Sequence, residues 1–219
     1  MTRAEVKQIA RDIQTMRIRG AGRIARAAAR ALKLTAKATR AKTLAGFTRE
    51  LDRVSKLLLA TRPTAVSLPN TIRYVTLSAK RARGVDLQTL RREVVSRADE
   101  FIRGSREAVG RIGEIGARRI SDGDVVLTHC NSDCALAVIK VAFKQGKRVQ
   151  AFVTESRPSR QGLISVRELK KAGVPTTLIV DSAVRYFIRD IDKVIVGADS
   201  IAANGAVINK IGTSQIALA

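Results

Sequence analysis

A cysteine and an aspartate each follow a short apolar run in the second half of the chain, and together they have the chemistry of an acid–base pair. Cys130 comes shortly after residues 125–127, and Asp199 shortly after residues 194–196. Both apolar runs are typical of buried parallel strands. Because such strands end at one edge of an open α/β sheet, we expect the thiol and the carboxylate to lie at the same edge. The sequence therefore indicates an enzyme.

Local position favours a different protonation state for each group. Cys130 precedes a helix predicted from about Asp133, and the start of a helix favours a thiolate. Asp199 follows a strand that we expect to be buried, where loss of hydration favours the protonated carboxyl. Taken singly, the cysteine is more typical of an inert, buried small residue, and an aspartate at this position is also common in a turn or a helix cap. Their joint placement after two strands favours function.

His129 and Cys134 lie beside the thiol in the sequence and suggest two further interpretations. Adjacent strand residues point to opposite faces, so we interpret His129 as structural rather than as a partner of Cys130. Three close ligands lack the fourth partner and the spacing of known zinc sites. We therefore predict no metal site and no cofactor, and we expect Cys134 to pack in the interior.

The two halves of the chain differ in their hydrophobic pattern. Residues 1–120 show apolar residues at helical spacing, which predicts a helical N-terminal domain with one helix over about 24–45. From residue 121, short apolar runs alternate with helical stretches, which is the βαβ pattern of a Rossmann-like, doubly wound parallel sheet. The predicted strands are 125–128, 149–154, 176–180 and 194–196, and the predicted helices are near 133–144, 165–172 and 182–189.

The end of the chain carries a hairpin signal and the start of one more helix. Asn204-Gly205 lies between Ile201 and Val207, as in a tight β-hairpin. The last helix begins near Gly212, only a few residues before the end of the sequence. Because four core strands are few for a doubly wound sheet, we expect the Rossmann-like domain, 121–219, to be truncated at its C-terminus.

Charge and composition limit the choice of partners and of location. The net charge is +22, and residues 1–120 hold 28 Lys and Arg against 10 Asp and Glu. Such a field attracts nucleic acid or phosphorylated substrates, but aromatic residues make up only 3%, so stacking surfaces for single strands are scarce. No apolar run approaches the ~20 residues of a membrane span. With two cysteines and no signal-like N-terminus, we expect a cytoplasmic protein without a membrane partner.

Four ordered motifs carry a resemblance to a known superfamily. They are Thr61-Arg62-Pro63-Thr64-Ala65-Val66-Ser67-Leu68, Leu127-Thr128-His129-Cys130-Asn131, Glu155-Ser156-Arg157-Pro158-x-x-Gln161-Gly162 and Gly197-Ala198-Asp199-x-Ile201-x-x-Asn204-Gly205-x-x-x-Asn209-Lys210-Ile211-Gly212-Thr213. These motifs resemble the sugar-1-phosphate aldose–ketose isomerases and the regulatory subunits of translation initiation factor 2B. Within that superfamily they are most similar to the archaeal ribose-1,5-bisphosphate isomerases.

The resemblance implies a helical domain followed by a Rossmann-like domain, homo-oligomers (dimers or hexamers), and a reaction on a phosphorylated sugar. It implies that Cys130 and Asp199 are the catalytic pair. Our own hypothesis for their roles is that Asp199 is the acid on the ring oxygen and that Cys130 handles the C2 proton. An acid and a base on different sides of the sugar are what this isomerisation requires.

Phosphate binding is the second requirement of that reaction. The glycines in Arg19-Gly20-Ala21-Gly22 let backbone N–H groups approach an anion at the start of a helix, and Arg side chains bind phosphate through two hydrogen bonds. Ser132 and the amides after Cys130 can form a further anion site. The predicted substrate-binding residues are Arg19, Gly20, Ala21, Gly22, Arg62, Ser132, Arg157, Gln161, Asn209 and Lys210.

Two alternatives within the superfamily remain open. A regulatory subunit would bind an initiation factor, but such subunits typically lack the cysteine and carry Glu in place of the aspartate. A methylthioribose-1-phosphate isomerase would need an apolar pocket instead of a second phosphate site. Ser200, Gly22 and the strong positive charge favour the bisphosphate, and a nucleic-acid-binding module is disfavoured because no recognised motif accompanies the charge.

Overall fold

The computed structural model describes residues 2–63, 65–81 and 85–219. Thr64, one of the residues that carry the resemblance, lies outside the described residues. The chain divides into two compact units, one ending at Arg106 and one running from Glu107 to Ala219. Helix α5 (Leu87–Ala117) contains the point of division. The domain boundary at residue 120 stays a prediction.

The first unit is helical, as the apolar spacing predicts. Its helices are α1 (Thr2–Gln14), α2 (Ala21–Ala38), α3 (Leu44–Thr61), α4 (Ser67–Arg81) and the first part of α5. Helix α2 contacts α1, α3 and α4. Its buried face is mostly alanine, which lets neighbouring helices approach closely. Larger residues fill the rest of the core, among them Ile13, Leu32, Phe47, Leu51, Leu58 and Leu90.

The helix predicted over about 24–45 is two helices in the structure. Helix α2 ends at Ala38, and Thr43 caps the start of α3 by accepting a hydrogen bond from the Gly46 N–H at 3.1 Å. A threonine in extended conformation at this position satisfies an amide that the helix leaves free. The cap therefore starts a new helix where the periodicity predicted continuation.

The second unit contains a four-stranded parallel sheet with helices between its strands, which confirms the predicted α/β class. Its elements are β1 (Val125–Thr128), α6 (Asp133–Lys144), β2 (Gln150–Thr154), α7 (Gly162–Lys171), β3 (Thr176–Ile179), α8 (Val184–Phe187) and β4 (Lys193–Val194). The strand order is β3-β2-β1-β4. The register pairs Leu127 with Phe152 on one side and with Val194 on the other.

The direction in which successive strands are added to the sheet reverses beside β1. The chain passes from β1 to β2 to β3 in one direction and then returns to place β4 on the other side of β1. In doubly wound sheets, ligands bind outside the carboxyl ends of the strands at such a switch point. Cys130 follows β1 and Asp199 follows β4, so the two candidate residues flank this point.

Strands β2 and β3 are each one residue shorter than predicted, two further elements differ more, and the hairpin is as predicted. The strand predicted over 194–196 is β4, Lys193–Val194, and the helix predicted near 182–189 is α8 between two short 3-10 turns. The hairpin pairs β5 (Ser200–Ile201) with β6 (Val207–Ile208). Helix α9 follows over Thr213–Leu218.

Two glycines allow α5 to pack closely on α6. A Cβ on Gly116 would lie 2.4 Å from Val138 Cγ2, and one on Gly113 would lie 3.1 Å from Ala137 Cβ. The absence of side chains at these two positions therefore leaves room for α6. In the residues that the structure describes, no helix combines the length and the apolar character needed to cross a membrane.

Candidate active site

Cys130 lies between the end of β1 and the start of α6, in a left-handed backbone conformation with φ of 66°. Its N–H donates a hydrogen bond to Ser156 Oγ at 2.7 Å, and its carbonyl accepts one from Ser165 Oγ at 2.7 Å. Both serines are buried. A non-glycine residue keeps such a conformation only where its surroundings hold it. Two buried hydroxyls therefore hold the backbone of Cys130 in place.

Ser156 is itself fixed by a carboxylate from another part of the sheet. Its N–H donates to Asp181 Oδ1 at 2.7 Å, and the N–H of Arg157 donates to Asp181 Oδ2 at 2.7 Å. Asp181 follows β3, so it connects the segment after β3 to the segment after β2. Hydrogen bonds to a carboxylate are stronger than those between neutral groups, which makes this a firm link.

Helix α7 begins directly against the end of β2. A Cβ on Gly162 would lie 1.8 Å from the carbonyl oxygen of Thr154, so only glycine fits there. This close approach brings Ser165, in the first turn of α7, within hydrogen-bond distance of Cys130. The Ser165 hydroxyl also accepts a hydrogen bond from Asn131 Nδ2 at 3.1 Å.

The loop after β4 lies against the start of α6. Ser132 Oγ caps α6 by accepting a hydrogen bond from the Ala135 N–H at 3.3 Å. A Cβ on Gly197 would lie 2.6 Å from that same Oγ. The missing side chain at Gly197 therefore lets the loop approach the cap, and Asp199 follows two residues later. The Ser132 hydroxyl keeps its hydrogen free to donate.

Asp199 is exposed, which corrects the expectation that it follows a buried strand. Val194 in β4 is 43% exposed. The physical reason is that β4 pairs with β1 along one edge, and no strand among the described residues pairs with its other edge. The N–H of Asp199 donates to the Ile208 carbonyl at 2.8 Å, so Asp199 lies at the open end of the hairpin.

The expected thiolate at Cys130 is also corrected. Burial raises the pKa of Cys130, and the Asp199 carboxylate raises it further, whereas the backbone N–H of Asn131 and the Lys210 ammonium lower it. Burial is the largest of these effects, so the position before α6 does not suffice to ionise the thiol. The charges of Asp199 and Lys210 thus both act on the Cys130 thiol, in opposite directions.

Asn209 and Lys210 lie in a turn closed by Thr213. Asn209 Nδ2 donates to Thr213 Oγ1 at 3.1 Å, and Thr213 Oγ1 donates to the Lys210 carbonyl at 2.7 Å. Both predicted residues are half-buried. The turn carries an amide and an ammonium, which are groups that bind an anion or a hydroxyl, and the ammonium of Lys210 acts on the Cys130 thiol.

Gln161 and Arg157 differ in their surroundings. Gln161 Oε1 is buried and has no hydrogen-bond partner among the residues described. Such an unpaired acceptor is uncommon, and a hydroxyl-bearing ligand would satisfy it. Arg157 is exposed, and its backbone rather than its guanidinium makes the contact with Asp181.

The remaining predicted substrate-binding residues belong to the first unit. Gly20 has φ of 82° and precedes α2, whose first turn, with Ala21 and Gly22, has no side-chain cap. Arg19 is exposed, and its Nε donates to the Met16 carbonyl at 2.5 Å. Arg62 is half-buried at the end of α3. The structure thus gives an uncapped helix start at 20–22, which has the free amides that an anion needs.

Sequence reasoning missed the roles of Ser156, Ser165 and Gly162. Ser156 and Gly162 occur in a motif that carries the resemblance, so a signal for them was present. Ser165 lies 35 positions from Cys130 in the sequence, and no local pattern links the two residues. Within the described ranges, no three His, Cys, Asp or Glu side chains are grouped so that they could hold a metal ion.

Comparison with known proteins adds sequence relatives. The model of the initiation factor 2 subunit family matches residues 17–219. The ribose 1,5-bisphosphate isomerase of Pyrococcus furiosus is 54% identical over 216 residues, 98% of this chain and 67% of that protein. The enzyme of the same name from Thermococcus kodakarensis is 52% identical over the same shares. The chain thus spans about two thirds of the length of these relatives.

Solved structures agree with these sequence relatives in fold. The translation initiation factor eIF-2B of Pyrococcus horikoshii superposes with a TM-score of 0.85 at 33% identity, covering 97% of this chain and 73% of that one. The 5-methylthioribose 1-phosphate isomerase of the same organism superposes with a TM-score of 0.83 at 31% identity, covering 97% and 63%. Both the enzyme and the factor therefore share this architecture.

Proposed function

The chain belongs to the initiation factor 2 subunit family, and from that premise we propose that it is an aldose–ketose isomerase that converts ribose 1,5-bisphosphate to ribulose 1,5-bisphosphate. Relatives that are about half identical over the aligned residues carry the name of this enzyme. The observation that carries the proposal is that Cys130 and Asp199 follow two adjacent parallel strands, β1 and β4, at the switch point of the sheet.

The reaction needs two proton-handling groups and a cation. The anomeric phosphate blocks ordinary ring opening, so the ring oxygen must gain a proton while its bond to C1 breaks. A proton then leaves C2 and another arrives at C1. We assign the first step to Asp199 and the C2 proton to Cys130, with Lys210 stabilising the negative charge that develops.

The coupling between the two groups favours one negative charge in the site rather than two. The Asp199 carboxylate raises the pKa of Cys130. Lys210 and the Asn131 amide act in the opposite direction and stabilise a thiolate at Cys130.

We assign substrate contacts to the residues with free donors, acceptors or cationic groups. Gln161 has an unpaired acceptor for a sugar hydroxyl, and Ser132 retains a hydroxyl hydrogen to donate. Asn209 and Lys210 offer further polar contacts. We assign phosphate contacts in the first unit to the uncapped helix start at 19–22 and to Arg62, and in the second unit to Arg157. Substitution to Ala tests each assigned side chain larger than alanine, with a raised KM as the expected result.

The test is turnover of ribose 1,5-bisphosphate by the purified protein, followed by phosphorus NMR. Cys130→Ser and Asp199→Asn should each lower kcat by about 10³-fold, as expected when a general acid or base is lost. Cys134→Ala is the matched control for loss of a thiol nearby and should keep turnover within about 3-fold. If both site variants turn over like the wild type, the assignment of the catalytic pair is wrong.

Two other functions are outcomes of the same experiment. Turnover of methylthioribose 1-phosphate but not of the bisphosphate would identify the other isomerase, to which one solved neighbour belongs. Capture of an initiation factor, with no turnover of either sugar, would favour the regulatory function that the name of the other neighbour suggests. The presence of both Cys130 and Asp199 favours the enzyme over the regulatory subunit.

We further propose a homo-oligomer, a dimer or a hexamer, in the cytoplasm. The resemblance to the sugar-1-phosphate isomerases, which implies homo-oligomers, supports self-association. Light scattering at several concentrations measures the state in solution, and a monomer throughout would reject an oligomer. Binding of nucleic acid or of an initiation factor is not favoured.

A further inference from the structure

We propose that His129 is a positioning residue, whose imidazole holds the loop that carries Asn209 and Lys210 against the strand end that carries Cys130. This inference rests on the isomerase function proposed above, because it assigns His129 to the same site. It goes beyond the acid–base pair and beyond the substrate contacts already assigned.

Both ring nitrogens of His129 have partners. The residue directly follows β1 and is only 2% exposed. Nε2 lies 2.8 Å from the Ile211 carbonyl oxygen, and Nδ1 lies 2.5 Å from Thr154 Oγ1. A carbonyl oxygen only accepts, so Nε2 carries the proton, and in the neutral ring Nδ1 accepts from the Thr154 hydroxyl. The imidazole thus connects the end of β2 with the loop after β6.

The loop backbone packs directly on the ring. Gly212 has φ of 102°, and a Cβ at this position would lie 3.0 Å from both Cε1 and Nε2 of His129. The absence of a side chain at Gly212 therefore allows the hydrogen bond to the neighbouring carbonyl. The imidazole is thus both packed against the loop backbone and hydrogen-bonded to it.

The segment that His129 holds carries both charged groups that act on the thiol. Lys210 precedes Ile211, and Asp199 is joined to the same hairpin through its N–H bond to the Ile208 carbonyl. Lys210 lowers the pKa of Cys130 and Asp199 raises it. A shift of the loop would therefore change how strongly each charge acts on Cys130.

Ser156 connects the imidazole to Cys130 on the other side. Its Oγ lies 3.3 Å from His129 Nδ1 and accepts the hydrogen bond of the Cys130 N–H at 2.7 Å. The ring is thus in contact with the residue that holds the thiol and with the loop that holds the charges. This double contact is the basis for assigning it a role in positioning.

The first test compares His129→Phe with His129→Gln. Phenylalanine keeps a ring but cannot donate to the Ile211 carbonyl, and we expect kcat/KM to fall about 100-fold, as for a small misplacement of catalytic groups. Glutamine can donate to that carbonyl but loses the bond to Thr154. We expect kcat/KM to fall by less than about 10-fold, which corresponds to roughly one hydrogen bond. Equal losses in the two variants would contradict the proposal.

The second test measures how Lys210 affects the pKa of Cys130 and does not require turnover. In a Cys134→Ala background, the pH dependence of iodoacetamide alkylation reports the pKa of Cys130. Lys210→Ala should raise that pKa in the presence of His129 and leave it unchanged with His129→Phe. The same effect of Lys210→Ala in both backgrounds would overturn the proposal, because a purely structural histidine gives additive effects.

A pair of glycine variants covers the case in which His129→Phe does not fold. Gly212→Ala pushes the loop away from an intact His129 and should abolish the effect of Lys210→Ala on Cys130. Gly205→Ala is its matched control, because Gly205 also has positive φ, 84°, in the same hairpin, and nothing lies within 4 Å of an added Cβ. A Gly212→Ala protein that keeps the effect would reject the positioning role.

Alkylation also separates this inference from the proposed function. If the protein turns over no sugar phosphate but His129→Phe abolishes the effect of Lys210→Ala, the isomerase function fails and the positioning of the loop stands. If turnover is found and the effect persists in His129→Phe, the function stands and the positioning role fails.

Discussion

The two sides of the candidate site are built differently. On one side, Cys130 is held just after β1 by two buried serines: its N–H donates to Ser156 Oγ, and its carbonyl accepts from Ser165 Oγ. On the other side, Asp199 is exposed at the open end of a hairpin of two-residue strands. The thiol is therefore fixed by the fold itself, whereas the carboxylate depends on how the hairpin is attached.

This difference shows that a reacting group can be positioned by two kinds of structure. The hydrogen bonds that fix the Cys130 backbone lie in the interior. The thiol is therefore buried as well, and burial raises its pKa. An exposed hairpin keeps its carboxylate hydrated but needs an attachment, for which His129 is our candidate. The following predictions test the contrast, starting with the largest expected effect.

Gly162→Ala should disrupt the buried side most strongly. The added Cβ would meet the Thr154 carbonyl at 1.8 Å, and backbone atoms on both sides would have to move. We expect a loss of about 3 kcal/mol in the free energy of unfolding, at the upper end for overpacking. Urea denaturation followed by circular dichroism measures it.

Gly110→Ala is the control for Gly162→Ala within the second unit. Gly110 lies in α5, and nothing lies within 4 Å of an added Cβ. Alanine at this open helical position should raise the free energy of unfolding by about 0.5–1 kcal/mol. Equal effects of the two substitutions would show that α7 does not pack on β2 as described.

Ser165→Ala should reduce catalysis on the thiol side without weakening substrate binding. Its hydroxyl is the donor to the Cys130 carbonyl, so its loss allows that backbone to move. We expect kcat to fall by about 10- to 100-fold through misplacement of the thiol, with KM unchanged. Steady-state kinetics measures both constants, and the exposed Ser159→Ala serves as control. A rise in KM with constant kcat would argue against a positioning role.

The pH dependence of Cys130 alkylation should compare the two sides directly. Because burial raises the pKa of Cys130, we expect its alkylation to increase only at pH values above the ordinary thiol range, about 8.5. Asp199→Asn removes a negative charge and should lower that pKa, whereas Lys210→Ala should raise it. Mass spectrometry of the alkylated peptide measures each rate. If neither variant changed the pKa of Cys130, the charges of Asp199 and Lys210 would not act on the thiol.

Ile201→Thr should have the smallest effect, since Ile201 in β5 is 69% exposed. We expect the free energy of unfolding to change by less than about 0.5 kcal/mol, as for most surface substitutions. Leu127→Ala in β1, where the side chain is 1% exposed, should instead cost about 2–5 kcal/mol. Thermal melts compare the two variants, and a large loss at Ile201 would mean that another surface covers the hairpin in solution.

Much of the fold followed from local patterns. Strand β1 and helix α6 have the predicted bounds, and the Asn204-Gly205 hairpin pairs Ile201 with Val207. These elements depend on residues that are close in the sequence. The helix near 182–189 was less predictable, because a single helical turn and its flanking 3-10 turns have no distinct periodicity.

The site was predictable only in part. The motifs named Cys130 and Asp199, and the βαβ pattern indicated that both follow parallel strands. The sequence did not reveal Ser165 as the partner of Cys130, or the exposure of Asp199. Both depend on how distant segments meet, and β4 lies at an edge of the described sheet.

By itself the sequence determined the element types, the two-part organisation expected of the chain and the residues that could do chemistry, because these depend on periodicity, turn residues and side-chain type. The tertiary structure alone decided the strand order β3-β2-β1-β4, the left-handed backbone of Cys130 and the raised pKa of its thiol. The physical reason is that burial and charge at a site are set by neighbours in space, and those neighbours come from segments far apart along the chain.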